Sequence, residues 1–242
     1  MAVPAQDSRL HAIQSAESAE LITQHSACMM RDWLTASRFR DFAEELASLI
    51  DAATEDTSRW KALDDAFWTV IPFGTGGRRG KMFPVGSNAI NDRTIGESAQ
   101  GLADYVCRTQ KHGEVPTCAI AYDTRHRSEH FAQLCTEVLL ASGFKVFFLR
   151  GFRSTPELSF AVRYTKATCG IMVTASHNPK DYNGMKFVKD GSRPISGDTG
   201  LLEIKSLAEN NSFTASKHKG TVTPLSHRAD YIKHLLGYVS VD

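Results

Sequence analysis

The densest run of polar groups in the sequence is Thr174-Ala175-Ser176-His177-Asn178-Pro179-Lys180-Asp181-Tyr182-Asn183-Gly184-Met185-Lys186. Asn-Pro and Asn-Gly tighten such a run into turns, so the Ser176 hydroxyl is expected to be presented rather than buried. A presented hydroxyl becomes a nucleophile when a neighbour can handle its proton, and His177 and Lys186 are side chains of the right kind. Lys186 also brings positive charge for a phosphate. The plainer alternative is a solvated polar turn, the ordinary state of a surface loop. The nucleophile elbow G-x-S-x-G does not surround Ser176, which argues against an esterase. His126-Arg127-Ser128-Glu129-His130 fits the zinc-peptidase pattern H-x-x-E-H. It falls at an expected loop-to-helix junction, however, and short patterns of this kind arise by chance. No other Cys/His pair has structural zinc spacing.

A second candidate is the glycine-rich break Phe73-Gly74-Thr75-Gly76-Gly77-Arg78-Arg79-Gly80-Lys81, where no regular element is expected to continue. Anchored on Gly80-Lys81, a Walker loop would need glycine at 75 and Ser/Thr at 82, where Thr75 and Met82 stand. The segment can still cradle an anion on backbone N–H groups, with Arg78 or Arg79 offering a bidentate fork.

The elements that would position these groups follow from periodicity. Phe39, Phe42, Leu46, Leu49 and Ile50, and then Trp60, Leu63 and Phe67, repeat at helical spacing and predict two amphipathic helices. Residues 1 to about 15 are polar, which leaves disorder or helix open there. Beyond the glycine break, Thr94 with Glu97 predicts a capped helix running towards Gly113. Thr117–Tyr122, Phe144–Leu149 and Thr168–Thr174 read as buried strands. Between them lie helices over Ser128–Ser142, stopped by Gly143, and from Pro156 to about Tyr164. Asn183–Lys189 alternates as a further strand, and Asp198 could cap a helix to about Leu207. This succession predicts a layered α/β/α sandwich with a mixed, mostly parallel sheet. If the first three strands are parallel, Asp123-Thr124-Arg125, Arg150–Thr155 and the Ser176 run all emerge at one sheet edge, where such folds bind ligands. The stretch 209–219 has the composition of a linker, and Arg228–Val239 beyond it reads as one amphipathic helix.

Composition sets the outer bounds. The chain has 242 residues, 28 Lys+Arg against 27 Asp+Glu (net +1), and 42% hydrophobic residues, as in ordinary globular proteins. That balance argues against a nucleic-acid partner. No run is long and apolar enough for a membrane span, and the N-terminus lacks secretory signal features. Five cysteines (Cys28, Cys107, Cys118, Cys135, Cys169), odd in number and without close pairs, read as reduced thiols of a cytoplasmic protein.

Gly170-Ile171-Met172-Val173-Thr174-Ala175-Ser176-His177-Asn178-Pro179, followed by Asn183-Gly184-Met185-Lys186, resembles the phosphoserine signature of the α-D-phosphohexomutases, the phosphoglucomutase/phosphomannomutase superfamily. Phe73–Gly80 resembles that family's phosphate-contacting loop, and Tyr122-Asp123-Thr124-Arg125 its Asp-x-Arg strand end. The resemblance covers roughly residues 35 to 242. The helical lead-in and Asn91-Asp92-Arg93-Thr94-Ile95 look most like the phosphoglucomutase/phosphopentomutase branch.

The resemblance implies the first domain of a four-domain enzyme, an intramolecular phosphotransferase acting on a phosphorylated sugar. Ser176 matches the phosphorylated nucleophile, and His177 and Lys186 match positions that assist proton transfer and hold the phosphoryl group. Arg79 matches the loop arginine that contacts phosphate, with Arg78, Thr75 and Asn178 as further phosphate-binding candidates. Implied cofactors are Mg²⁺, reached in this chain only through the phosphoryl group on Ser176, and a glucose 1,6-bisphosphate-type activator. The family's D-G-D-x-D-R metal loop, G-E-x-S-G sugar loop and R-x-S-G-T phosphate loop have no match here, and no D-x-D occurs in the chain. The expected division is an N-terminal extension (1–34), domain I (35–208), a linker (209–219) and the start of domain II (220–242). Domains II–IV would be missing, and no turnover is expected from this chain alone. The alternative is a non-catalytic sugar-phosphate or nucleotide binding module on a similar α/β scaffold, which needs no phosphate on Ser176.

Overall fold

In a computed structural model, which describes residues 3–111, 113–210, 212–216 and 219–239, the N-terminal part of the chain is helical. Its helices are Val3–Ser18 (α1), Gln24–Thr35 (α2), Arg40–Glu55 (α3) and Trp60–Phe67 (α4). α3 and α4 realise the apolar spacing read from the sequence, burying Leu46 and Ile50 and then Trp60, Leu63 and Phe67. Helix α1 occupies most of the stretch where disorder was left open; Met1 and Ala2 lie outside the described residues. It is held because Ile13 and Ala16 enter the same core as Trp33, whose ring stacks on Phe39 at 4.7 Å and meets Phe67 edge-on at 5.2 Å. Such aromatic contacts add to the burial of apolar area. These helices and Gly80–Thr94 make up one of two compact units; the other comprises Phe73–Arg79 and Ile95–Asp242.

The next helix, Asp92–Thr109 (α5), starts earlier than expected. Asn91 is its cap: Thr94 N–H donates to Asn91 Oδ1 at 3.0 Å, and Asn91 N–H donates to Thr94 Oγ1 at 3.1 Å. Thr94 is thus the last residue of the capping box, at N3, not its first, because the Asn91 carboxamide reaches the orphan N–H groups one turn ahead. Asn91 also donates from Nδ2 to the Gly86 carbonyl at 2.9 Å and is buried. Asn91→Ala is therefore expected to cost about 1–2 kcal/mol, the upper range for a cap, read as a shifted denaturant midpoint. A loss of only a few tenths would show that the helix does not depend on this cap.

The strands are Phe73–Gly74 (β1), Gly77–Lys81 (β2), Thr117–Tyr122 (β3), Lys145–Phe148 (β4), Cys169–Val173 (β5), Tyr182–Lys189 (β6) and Thr221–Pro224 (β7). They form one sheet in the order β1-β2-β6-β5-β3-β4-β7. β3 pairs in parallel with β4 and β5, β4 with β7, and β5 pairs antiparallel with β6. Helices Ser128–Ala141 (α6) and Thr155–Thr165 (α7) connect β3 to β4 and β4 to β5. From β3 the chain steps to one neighbour and then back past β3 to the other. Right-handed crossovers therefore place α6 and α7 on opposite faces, giving the layered α/β/α fold expected. Ala119, Ala121 and Met172 pack on the α7 side with Leu158, Ala161 and Val162. Gly143 stops α6 with φ +86°, and Ser154 caps α7 by accepting from Glu157 N–H at 3.3 Å.

Three features differ from the sequence reading. The glycine break does contain regular structure, the β1–β2 hairpin, with Phe73 opposite Arg78 and Gly74 opposite Gly77. Asp198 does not cap a helix: Ser196 and Thr199 box a short 3-10 turn, and helix Leu201–Asn210 (α8) begins after it. Beyond the expected linker, Thr221–Pro224 joins the sheet as an edge strand, which no hydrophobic pattern signalled. Residues 211, 217 and 218 of that linker lie outside the described residues. The last helix, Arg228–Leu236 (α9), sets Tyr231 and His234 on Phe160 at 5.3 and 5.1 Å. Cys118, Cys135 and Cys169 are buried, Cys28 and Cys107 exposed, and all five are free. Burial pushes the Cys118 and Cys135 thiols well above their ordinary range, so they stay protonated. No helix among the described residues is long and apolar enough to cross a membrane.

Candidate active site

Because β3, β4 and β5 run parallel, their carboxyl ends deliver the segments 123–127, 149–154 and 174–181 to one edge of the sheet. Backbone bonds tie these segments together: Asp123 N–H donates to the Val173 carbonyl at 3.2 Å, and Arg153 N–H to the Tyr122 carbonyl at 2.8 Å. Ser176 lies three residues past the end of β5, exposed, with φ +59°. A non-glycine residue in that left-handed region is uncommon and points to an imposed geometry. Its N–H donates to Thr174 Oγ1 at 2.9 Å, and Asn178 N–H closes the turn on the Ala175 carbonyl at 3.2 Å.

The neighbouring strand-end loop holds this turn from below. Arg125 Nη1 donates to the carbonyls of Pro179 (2.7 Å) and Tyr182 (3.1 Å), and Nη2 to those of Ser176 (2.8 Å) and Asn178 (2.6 Å). Asp123 accepts from Arg125 N–H at 3.1 Å and from Ser128 Oγ at 2.7 Å. Buried Asn183 completes the lock, donating to the His126 carbonyl at 2.9 Å and to Ser128 Oγ at 3.0 Å. The sequence marked Asp123, Arg125 and Asn183 as parts of polar motifs. It gave no role to Thr174, a hydroxyl just past the end of β5, or to the hydroxyl of Ser128, the first residue of α6.

The hairpin turn, Thr75-Gly76, packs against β6, with Phe187 N–H donating to the Gly76 carbonyl at 2.7 Å. A Cβ on Gly77 would lie 1.9 Å from the Met185 carbonyl oxygen, and one on Gly184 would lie 2.2 Å from the Arg78 carbonyl oxygen. Each glycine thus makes room for the other strand's backbone.

Two clefts result. One, of about 390 Å³, is lined by Asp123, Thr124, Arg125, His126, Ser176, Asn178 and Lys180. The other, of about 190 Å³, is lined by Gly74, Thr75, Gly77, Arg78, Arg79, Thr174, Met185 and Lys186. The candidates therefore divide: Ser176 and Asn178 face the first, and Thr75, Arg78, Arg79 and Lys186 the second. Thr174 joins the two, lining the second while holding the Ser176 N–H. His177 is exposed beside Ser176 in the turn. Arg78 and Arg79 behave differently. Arg79 is exposed, whereas the Arg78 side chain is 1% exposed. Its guanidinium lies over the Phe73 ring at 4.2 Å, with Ser98 Oγ at 3.3 Å and Glu209 at 3.8 Å.

Both clefts carry cations, and Asp123 is the one carboxylate lining either of them, which suits an anionic ligand. The residues here do not fit a Mg²⁺ site. Asp123 is committed to Arg125 and Ser128, and among the described residues no three His, Cys, Asp or Glu side chains converge to hold a metal ion. The zinc pattern meets the same result, with Glu129 accepting from Tyr122 O–H at 2.9 Å.

Comparison with known proteins places these features in a family. The profile described as phosphoglucomutase/phosphomannomutase, alpha/beta/alpha domain I, matches residues 71–215. The phosphoglucomutase of Staphylococcus aureus is 38% identical over 186 residues, 72% of this chain and 33% of that protein. The phosphoglucomutase of Staphylococcus epidermidis is 44% identical over 135 residues, 55% of this chain and 24% of that protein. A solved Thermus thermophilus structure, assigned as a phosphomannomutase, superposes with a TM-score of 0.60 at 32% identity, covering 71% of this chain and 37% of its own. The chain spans about a quarter to a third of the length of these curated relatives.

Proposed function

The chain belongs to the phosphoglucomutase/phosphomannomutase family through that family's domain I. From that membership we propose that Ser176 carries the phosphoryl group in a sugar-phosphate mutase. The observation that carries this reading is exposed Ser176, held in a left-handed turn at a strand's carboxyl end, where it lines a cleft together with Arg125 and Lys180. In the forward step a free hydroxyl of a sugar monophosphate bonds to phosphorus as the Ser176 Oγ–P bond breaks. The hydroxyl's proton leaves to a base, and Ser176 Oγ regains one. The bisphosphate sugar then reorients and returns its other phosphoryl group to Ser176. His177 serves proton transfer, and Lys186, Arg79, Thr75 and Asn178 hold phosphate oxygens. Arg78 supports the hairpin from inside and contributes charge rather than direct contact. Positive charge around the transferring group is the dominant requirement of phosphoryl transfer.

The test is direct. Full-length protein incubated with a hexose 1,6-bisphosphate should gain one phosphate on the peptide containing Ser176. Label on another residue overturns the assignment, and tight sugar-phosphate binding with no covalent label would favour the binding-module alternative.

A Mg²⁺ requirement would have to be met with carboxylates from the other domains of the full-length protein. Accordingly, calorimetry on the 242-residue chain should show no Mg²⁺ binding tighter than millimolar, and mutase assays no activity above background. The full-length protein should do both. Turnover by the 242-residue chain alone would refute its reading as one part of a divided site.

A further inference from the structure

We propose that Arg125 is the positioning residue for Ser176, a clamp that fixes the phosphoryl-carrying turn through its backbone rather than through contact with substrate; this rests on the phosphoserine reading above. A guanidinium offers five N–H donors in a planar fork and accepts nothing. Here four of its contacts go to carbonyl oxygens of a single segment, those of Ser176, Asn178, Pro179 and Tyr182, at 2.6 to 3.1 Å. Its Nε faces Asp123 Oδ2 at 3.4 Å, and the side chain is only 13% exposed. The segment 174–181 contains no helix or strand and makes few backbone bonds of its own. Arg125 is thus the common anchor of three of its carbonyl groups, those of Ser176, Asn178 and Pro179, and of the Tyr182 carbonyl at the first position of β6.

The arrangement has an electrostatic consequence. No described peptide bond is cis, and a trans peptide points its C=O and N–H in opposite directions. With the Ser176 and Pro179 carbonyls on the guanidinium, the N–H groups of His177 and Lys180 point away from it. The clamp therefore sets both the left-handed backbone of Ser176 and the direction of the amide next to its side chain. Lysine cannot reproduce this. Its ammonium is a point charge with three donors and cannot span four acceptors held at fork spacing.

The experiment compares Arg125→Lys and Arg125→Ala with unsubstituted full-length protein. It measures the rate of Ser176 phosphorylation at saturating hexose 1,6-bisphosphate, the half-saturating donor concentration, and hydrogen exchange at the amides of 174–182. In both variants the transfer rate should fall about a hundredfold, the scale of an ångström-sized misplacement. The half-saturating concentration should stay within about threefold. Exchange in 174–182 should quicken while far-UV circular dichroism is unchanged. Methylguanidinium at non-denaturing concentration should restore part of the rate to Arg125→Ala. If Arg125→Ala does not fold, Arg125→Lys carries the test, since it keeps the charge and loses the fork. A wild-type transfer rate in Arg125→Lys, or unchanged exchange in 174–182, overturns the clamp. Failure of the unsubstituted protein to label Ser176 would overturn the phosphoserine reading instead, with exchange still judging the clamp.

Discussion

Ser176→Ala in the full-length protein is expected to lower mutase turnover by more than about four orders of magnitude, the scale of removing a nucleophile that forms a covalent intermediate. No neighbour can take its place. Thr174, the nearest hydroxyl in sequence, is buried and already accepts the Ser176 N–H. The stability effect should run the other way. Ser176 is exposed and held at φ +59°, where an L side chain is strained and glycine is not. Ser176→Gly should therefore be equally inactive yet as stable as the parent, or more stable by up to about 1 kcal/mol. Such opposed effects are expected where backbone strain serves a reaction. Denaturation midpoints and turnover measured on the same two variants check both halves. Residual turnover within tenfold of the parent in Ser176→Ala would remove Ser176 from the mechanism.

Gly184→Ala and Gly77→Ala are expected to be the most damaging small substitutions in the sheet, each costing about 3 kcal/mol or more. The added Cβ would sit 2.2 Å from the Arg78 carbonyl oxygen in the first and 1.9 Å from the Met185 carbonyl oxygen in the second. Both obstacles are backbone atoms, so no rotamer change relieves them and β2 must move off β6. That displacement shifts Thr75, Arg79 and Lys186, which line one cleft, so phosphate affinity should fall together with stability. Gly80→Ala supplies the contrast. Its added Cβ would meet the tip of the Ile71 side chain, which can turn aside. Equal midpoints for Gly80→Ala and Gly184→Ala would show that close strand approach is not what these glycines provide.

Much of this molecule is local in origin, and the sequence alone determined it. The alternation of buried runs with amphipathic helices, stopped at Gly143 and opened near Pro156, was enough to predict β3, α6, β4, α7 and β5 in a mostly parallel sheet, and the pairing of β3 with β4 and β5 is parallel. That order in turn brought Asp123-Thr124-Arg125 and the Ser176 turn to one edge. The turn itself was legible in part: Asn178-Pro179 lies in it, because that pair constrains its own backbone, whereas Asn183-Gly184, expected to form a second turn, lies inside strand β6, where Gly184 makes room for the Arg78 carbonyl.

What the sequence could not decide were the features that depend on a partner. The glycine break looked structureless because nothing in Gly74–Gly80 reveals that β6 lies alongside and needs backbone without side chains against it. Edge strand β7 has no hydrophobic signature, since pairing with β4 uses only its backbone groups. Arg78 and Arg79 are equivalent as letters. In a strand, however, adjacent side chains point to opposite faces, so one turned inward to Phe73 and Ser98 while the other stayed exposed. Arg125 is the same case on a larger scale. A lone arginine after a strand is common, and only the tertiary fold placed four carbonyl oxygens, more than fifty residues on in the chain, within reach of one guanidinium.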